Sequence, residues 1–148
     1  MLQLPAELQA EFFRRVSHKI IDDSCYWNVL GTLWKLGGTV VQQEQWRGLF
    51  LSKRGNRHKI MKKSERRAWR KLPAEVTAYR AVNHLGEADT AISWSLDRGI
   101  VEKIFSEDGK RPVVERKFKK AEIFAFFDRR GESEILVNIG ESLACQQK

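Results

Sequence analysis

Pro73-Ala74-Glu75-Val76-Thr77-Ala78-Tyr79-Arg80-Ala81-Val82 is where the character of the chain changes. Before the proline, apolar residues recur at helical spacing; after it, short runs rich in β-branched and aromatic residues alternate with turn residues. Strands are expected at Val76 to Val82, Thr90 to Trp94, Val113 to Lys119, Ile123 to Phe127 and Ser133 to Asn138. One helix, from Leu96 to about Ser106, interrupts them and is expected to turn Ile100, Ile104 and Phe105 inward. Upstream, Pro5 opens a helix whose apolar face is marked by Leu8, Phe12, Val16 and Ile20. A second helix is expected from Ser24, as N-cap, to Leu36, with Trp27, Leu30 and Trp34 on one face and Gly37-Gly38 as the stop. Trp46, Leu49 and Phe50 indicate a third, and Ile60 to Leu72 a fourth. The expected fold class is α+β: a helical N-terminal portion, 1–73, packed on a small, mainly antiparallel sheet portion, 74–148, within one domain.

With 31% charged and 42% hydrophobic residues, the composition is that of a folded globular chain and excludes wholesale disorder. No apolar run approaches the roughly 18 residues of a membrane span, and the first residues lack a signal-peptide pattern, so a cytoplasmic protein without a membrane partner is expected. Cys25 and Cys145 lack metal or disulfide spacing, His18, His58 and His84 lack ligand spacing, and no metal is expected. Trp27, Trp34 and Trp46 read as core residues. The net charge of +8 is local: Arg47 to Lys71 holds eleven Lys/Arg against one acid, Glu65, while the rest of the chain carries a net −2. That tract is either a nucleic-acid or nucleoprotein contact gripping phosphates or a solvated helix face.

Three polar signatures lie in the strand-rich half, in order: Tyr79-Arg80, Ser93-Trp94-Ser95 and Glu132-Ser133-Glu134. On a strand, residues two apart share a face, so Ser93 with Ser95, and Glu132 with Glu134, are each expected to project together, with Gly131 freeing the turn before the glutamates. An arginine, a serine pair and a carboxylate pair make a site suited to an anion and a sugar. Ser95 also reads as the N-cap of the helix that follows.

These signatures resemble the arginine, Ser-x-Ser and Glu-x-Glu motifs of NAD-dependent mono-ADP-ribosyltransferases of the arginine-serine-glutamate group, found in bacterial toxins and phage proteins. The resemblance covers Val76 to Asn138, including the run Arg-Gly-Glu-Ser-Glu-Ile-Leu-Val from Arg130. It is nearest to compact phage and prophage members with a Tyr-Arg, Ser-Trp-Ser/Thr, Arg-Gly-Glu-x-Glu layout. The resemblance implies an ADP-ribosyltransferase-like core and NAD as substrate. It implies that Glu134 is the catalytic carboxylate for the ribose cation and that Glu132 serves the acceptor, an arginine of a host protein. Arg80, Ser93, Ser95, Tyr79 and Trp94 are then the NAD-binding positions, and the Ser106 to Pro112 loop, with Lys110 and Arg111, touches the nicotinamide phosphate. Two departures stand out: Trp94 replaces the usual middle threonine, and the Arg80 to Ser93 interval is short. The expected function is a toxin-like transferase, phage-encoded and directed at a host or defence factor. The alternative is a non-catalytic module that contacts nucleic acid or nucleoprotein through Arg47 to Lys71.

Overall fold

The computed structural model describes residues 5–37, 43–137 and 139. Gly38, Asn138 and Cys145, which figure in the expectations above, lie outside them. The fold is α+β, with helices and one five-stranded antiparallel sheet. The chain divides into two compact units, Met1–Lys62 and Lys63–Lys148.

The first unit contains α1 (Ala6–Val16), α2 (Asp23–Gly37), α3 (Gln43–Phe50) and a 3-10 turn, Arg57–Ile60. In α2 and α3, Trp27, Leu30, Trp34, Trp46, Leu49 and Phe50 are buried as their spacing predicts, and the Trp34 ring meets those of Trp46 and Phe50 edge-on at 5.3 and 5.4 Å. Two details differ from expectation. The α2 cap is Asp22, whose Oδ1 accepts the Cys25 N–H at 3.0 Å, not Ser24. Among the described side chains of α1 the buried ones are Ala10 and Phe13, while Leu8 and Phe12 are half-exposed at 49% and 51%. Ala10 and Phe13, three apart, make a helical repeat as good as the four-residue spacing of the larger side chains.

Gly31 is the tight point of this unit. A Cβ there would lie 2.4 Å from the Ile60 carbonyl oxygen, whereas one on Gly48, exposed in α3, would meet nothing. Gly31→Ala should therefore destabilise the protein by about 1–3 kcal/mol through overpacking. Gly48→Ala should stabilise it by about 0.5–1 kcal/mol through helix propensity. Paired urea melts would read both, and shifts of the same sign would contradict the packing described.

Tyr26 donates its hydroxyl to the Leu49 carbonyl at 2.8 Å beneath the Arg54 guanidinium, 4.6 Å from the ring centre. Burial pushes this phenol above its ordinary 10.0, opposed by the Ser52 hydrogen bond and the Arg54 charge. Because the fold favours the protonated form, its stabilisation is full below pH 10 and is lost as pH rises through the higher folded value. In Tyr79→Phe, which leaves Tyr26 as the one tyrosine of the chain, ultraviolet titration should show phenolate forming late, with unfolding. Ionisation at an ordinary pKa in the folded state would contradict this burial.

The second unit contains α4 (Lys63–Arg70), β1 (Glu75–Ala81), β2 (Ser93–Ser95), α5 (Arg98–Ile100) continuing as a π-helical turn over Val101–Phe105, β3 (Val113–Lys119), β4 (Ile123–Phe127) and β5 (Glu134–Val137). The expected Ile60 to Leu72 helix is thus a 3-10 turn and a separate α4, and α4 belongs with the sheet, ten residues ahead of Pro73. Trp69 holds it there, donating Nε1 to the Ile123 carbonyl at 3.3 Å. Strand order is β3-β1-β2-β5-β4. A flat sheet would separate its edge strands by four spacings, roughly 19 Å. Yet β3 and β4 are joined by the three residues Lys120–Glu122, and four residue steps span at most about 14 Å. The sheet therefore curls, bringing the two edges together at that end.

The π turn changes which side chains face in. Val101 is buried at 2%, while Ile104 and Phe105 are exposed at 61% and 37%, contrary to the inward face expected for the latter two. A π turn closes hydrogen bonds five residues apart, so it rotates the following side chains away from the 3.6-residue phase.

Candidate functional site

The three polar signatures fall on three adjacent strands. Tyr79 of β1 pairs with Ser95 of β2, and Ser95 pairs with Glu134 of β5, so these three side chains share a rung and a face of the sheet. Ser93, two residues from Ser95, shares that face and is the diagonal neighbour of Glu134. Its Oγ donates to Glu134 Oε2, and Glu134 is buried, at 8% exposure. This contact between β2 and β5 is the centre of the candidate site.

Ser95 has a different task. Its hydroxyl donates to the Glu132 carbonyl at 2.6 Å and accepts the Asp97 N–H at 3.0 Å, tying the end of β2 to the turn before β5. The helix cap is Asp97, whose side chain accepts from the Ile100 N–H, rather than Ser95. Leu96 N–H donates to the Ser133 carbonyl at 2.9 Å and completes the tie.

Arg80 follows Tyr79 and so leaves β1 on the opposite face. Arg80 is 8% exposed and its guanidinium is already engaged: Nη1 donates to the Ser93 carbonyl at 2.6 Å and Nε to Glu87 Oε2 at 3.0 Å. Burial lowers its pKa; the Glu87 charge and hydrogen bond oppose that, Arg111 adds to it, and Glu134 opposes it. Arg80 therefore locks β1 to β2 beside the Ser93–Glu134 pair, and Nη2 is the part of the fork with no hydrogen bond among the described residues.

Glu132 departs from expectation. The strand begins at Glu134, and Ser133 takes a left-handed φ of 47°, so the alternation that would align the two glutamates does not hold. Glu132 is a half-buried turn residue. Trp94 is likewise not open to a bound molecule: it is 2% exposed on the face opposite Ser93 and Ser95, with its ring 5.1 Å from Phe118 and Nε1 donating to the Ala91 carbonyl at 3.1 Å. Tyr79 is half-buried beneath the Arg98 guanidinium at 5.8 Å.

The 106–112 loop carries three successive left-handed residues, Glu107, Asp108 and Gly109. Arg111 clamps its end by donating to the Ala81 carbonyl at 2.9 Å and the Phe105 carbonyl at 3.2 Å, while Lys110 stays exposed.

Two structural carboxylates carry no motif that marks them in the sequence. Glu87 holds Arg80, and its other oxygen accepts the Asn83 N–H at 3.2 Å. Glu65, the single acid of the basic tract, is 3% exposed and accepts the Asp128 N–H at 2.9 Å and Arg129 Nε at 3.3 Å. It anchors the start of the turn whose other end is held by Ser95 and Leu96, and thereby sets where Glu134 enters β5. A lone acid among cations was the only signal for it. Glu65→Ala should cost about 3–5 kcal/mol, the usual loss when one partner of a buried ion pair is removed. Glu65→Gln, which still accepts from Asp128, should cost less. Denaturant melts with amide exchange at Asp128 provide the measurement, and a loss below roughly 1 kcal/mol for alanine would contradict this anchoring.

Comparison of the chain with protein-family models, curated proteins and solved structures gives no significant match. Among the described residues, no helix is long and apolar enough to cross a membrane.

Proposed function

We propose that this chain is an NAD-dependent mono-ADP-ribosyltransferase of the arginine-serine-glutamate group, built on a compact ADP-ribosyltransferase-like core and modifying a host protein, with arginine as acceptor. The observation that carries this reading is the Ser93 to Glu134 hydrogen bond between neighbouring strands, with Arg80 bonded to the Ser93 backbone on the third. Three motifs spread over more than fifty residues of sequence converge on one strand end.

In this reading the bond between ribose C1′ and the nicotinamide nitrogen breaks, and nicotinamide leaves with the bonding electrons. The positive charge that develops on the ribose is stabilised by the Glu134 carboxylate, whose orientation Ser93 fixes. A guanidinium nitrogen of the target arginine then attacks C1′, and its proton passes to Glu132. Arg80, engaged by Glu87 and the Ser93 carbonyl, keeps the strand end that carries Ser93 in register. A phage-encoded modifier of a host or defence factor, working in the host cytoplasm, fits this chemistry.

Chromatographic detection of nicotinamide from NAD incubated with micromolar protein tests the reading. Release above the spontaneous rate is expected, and no release, with or without host lysate, would count against an enzyme.

A further inference from the structure

We propose that the solvent face of α4 binds the phosphate backbone of a nucleic acid, independently of any chemistry at Glu134. The basic tract is not one uniform surface. Arg47 is 3% exposed and pairs with Glu44, and Arg54 donates to the Ser17 and Ile20 carbonyls at 2.9 and 2.7 Å, so both are internal fixtures of the first unit. The cations of α4 are different.

Lys63, Arg67 and Arg70, with Lys71 just beyond the helix, are exposed and make no ion pair among the described residues. At 3.6 residues per turn, positions 63, 67, 70 and 71 form a single stripe. Glu65, the acid that would ordinarily neutralise such a stripe, is buried and turned toward Arg129 and Asp128. Lys120 adds a further cation at the C-terminal end of α4, donating to the Arg70 carbonyl at 2.6 Å over the Trp69 ring. A row of one sign with no ion-paired acid among the described residues attracts a polyanion. Two of its four members are arginines, whose planar forks match phosphate oxygens. No large apolar side chain on α4 is exposed, so the face lacks the apolar half that inserts into a lipid surface.

Four phosphate contacts predict a slope of log affinity against log salt of about −3.6 on duplex DNA and about −2.8 on a single strand. Between 50 and 200 mM salt, affinity should therefore fall roughly 50- to 150-fold. The experiment uses the full chain with a fluorescent mixed-sequence 20-mer, single-stranded and duplex, beside a poly-glutamate peptide and phosphatidylserine vesicles. Lys63→Glu/Arg67→Glu should flatten the slope by about 2 and weaken binding well over tenfold. Lys19→Glu/Lys103→Glu, which changes net charge equally at exposed sites elsewhere, should leave the slope unchanged. Equal weakening by both pairs, a wild-type slope shallower than about −1.5, or tighter binding of the peptide or the vesicles than of the oligonucleotides would overturn the proposal. The wild-type slope serves even if a variant fails to fold.

Discussion

Glu134→Gln should lower nicotinamide release and ADP-ribose transfer together, by on the order of a hundredfold to a thousandfold, the usual loss when one preorganised electrostatic partner is removed. The substitution isolates charge from shape. Glutamine still offers an oxygen to the Ser93 hydroxyl, so the β2–β5 contact survives, while the negative charge beside Arg80 is gone. The melting temperature should change little relative to that kinetic loss, because the Ser93 hydroxyl keeps its acceptor. Ser93→Ala should give a smaller loss, since it frees the carboxylate without neutralising it. Steady-state assays with thermal melts on the same samples check the ordering. Full activity in Glu134→Gln would remove this carboxylate from the chemistry.

Glu132→Gln should divide the two activities. It preserves size and hydrogen-bonding capacity but cannot draw or deprotonate a guanidinium, so transfer to arginine should fall by roughly a hundredfold or more, the scale of general-base catalysis, while slow NAD hydrolysis persists. The turn geometry supports separate roles: Ser133, at a φ of 47°, sets Glu132 off the strand that carries Glu134. Its backbone stays fixed through the Ser95 hydroxyl, so the side-chain change should leave the turn in place. Assays with free NAD and with an arginine-bearing acceptor check this. Equal loss of both activities would mean that the two carboxylates share one step.

Much of the sheet was legible because strand signals are local. Val113–Lys119 and Ile123–Phe127 have the expected bounds, since a β-branched or aromatic run between turn residues needs no distant partner to be recognised. The helical errors came from phase. In α1 the buried pair is Ala10 and Phe13 rather than the larger Leu8 and Phe12, and the π turn at Val101–Phe105 shifts its face in a way that apolar spacing does not encode. The meeting of Ser93 with Glu134 depends on strand order β1-β2-β5, a non-local property that spacing alone leaves open. Resemblance to known motifs pointed to these residues, yet it also assigned Trp94 an NAD contact that its burial at 2% withholds. Glu65 and Glu87 were illegible for a plainer reason. An acid beside cations or in a loop reads as solvated until its partner, up to 64 residues away for Glu65, is seen.

The proposed role of the buried Glu134 carboxylate, oriented by Ser93, is tested by mixing wild-type or Glu134→Gln protein with NAD labelled in the adenosine portion and a bacterial lysate, followed by denaturing gel and mass spectrometry of labelled bands. One or a few discrete proteins should gain ADP-ribose with wild type and none with the variant. Identical labelling by the two proteins would contradict that role.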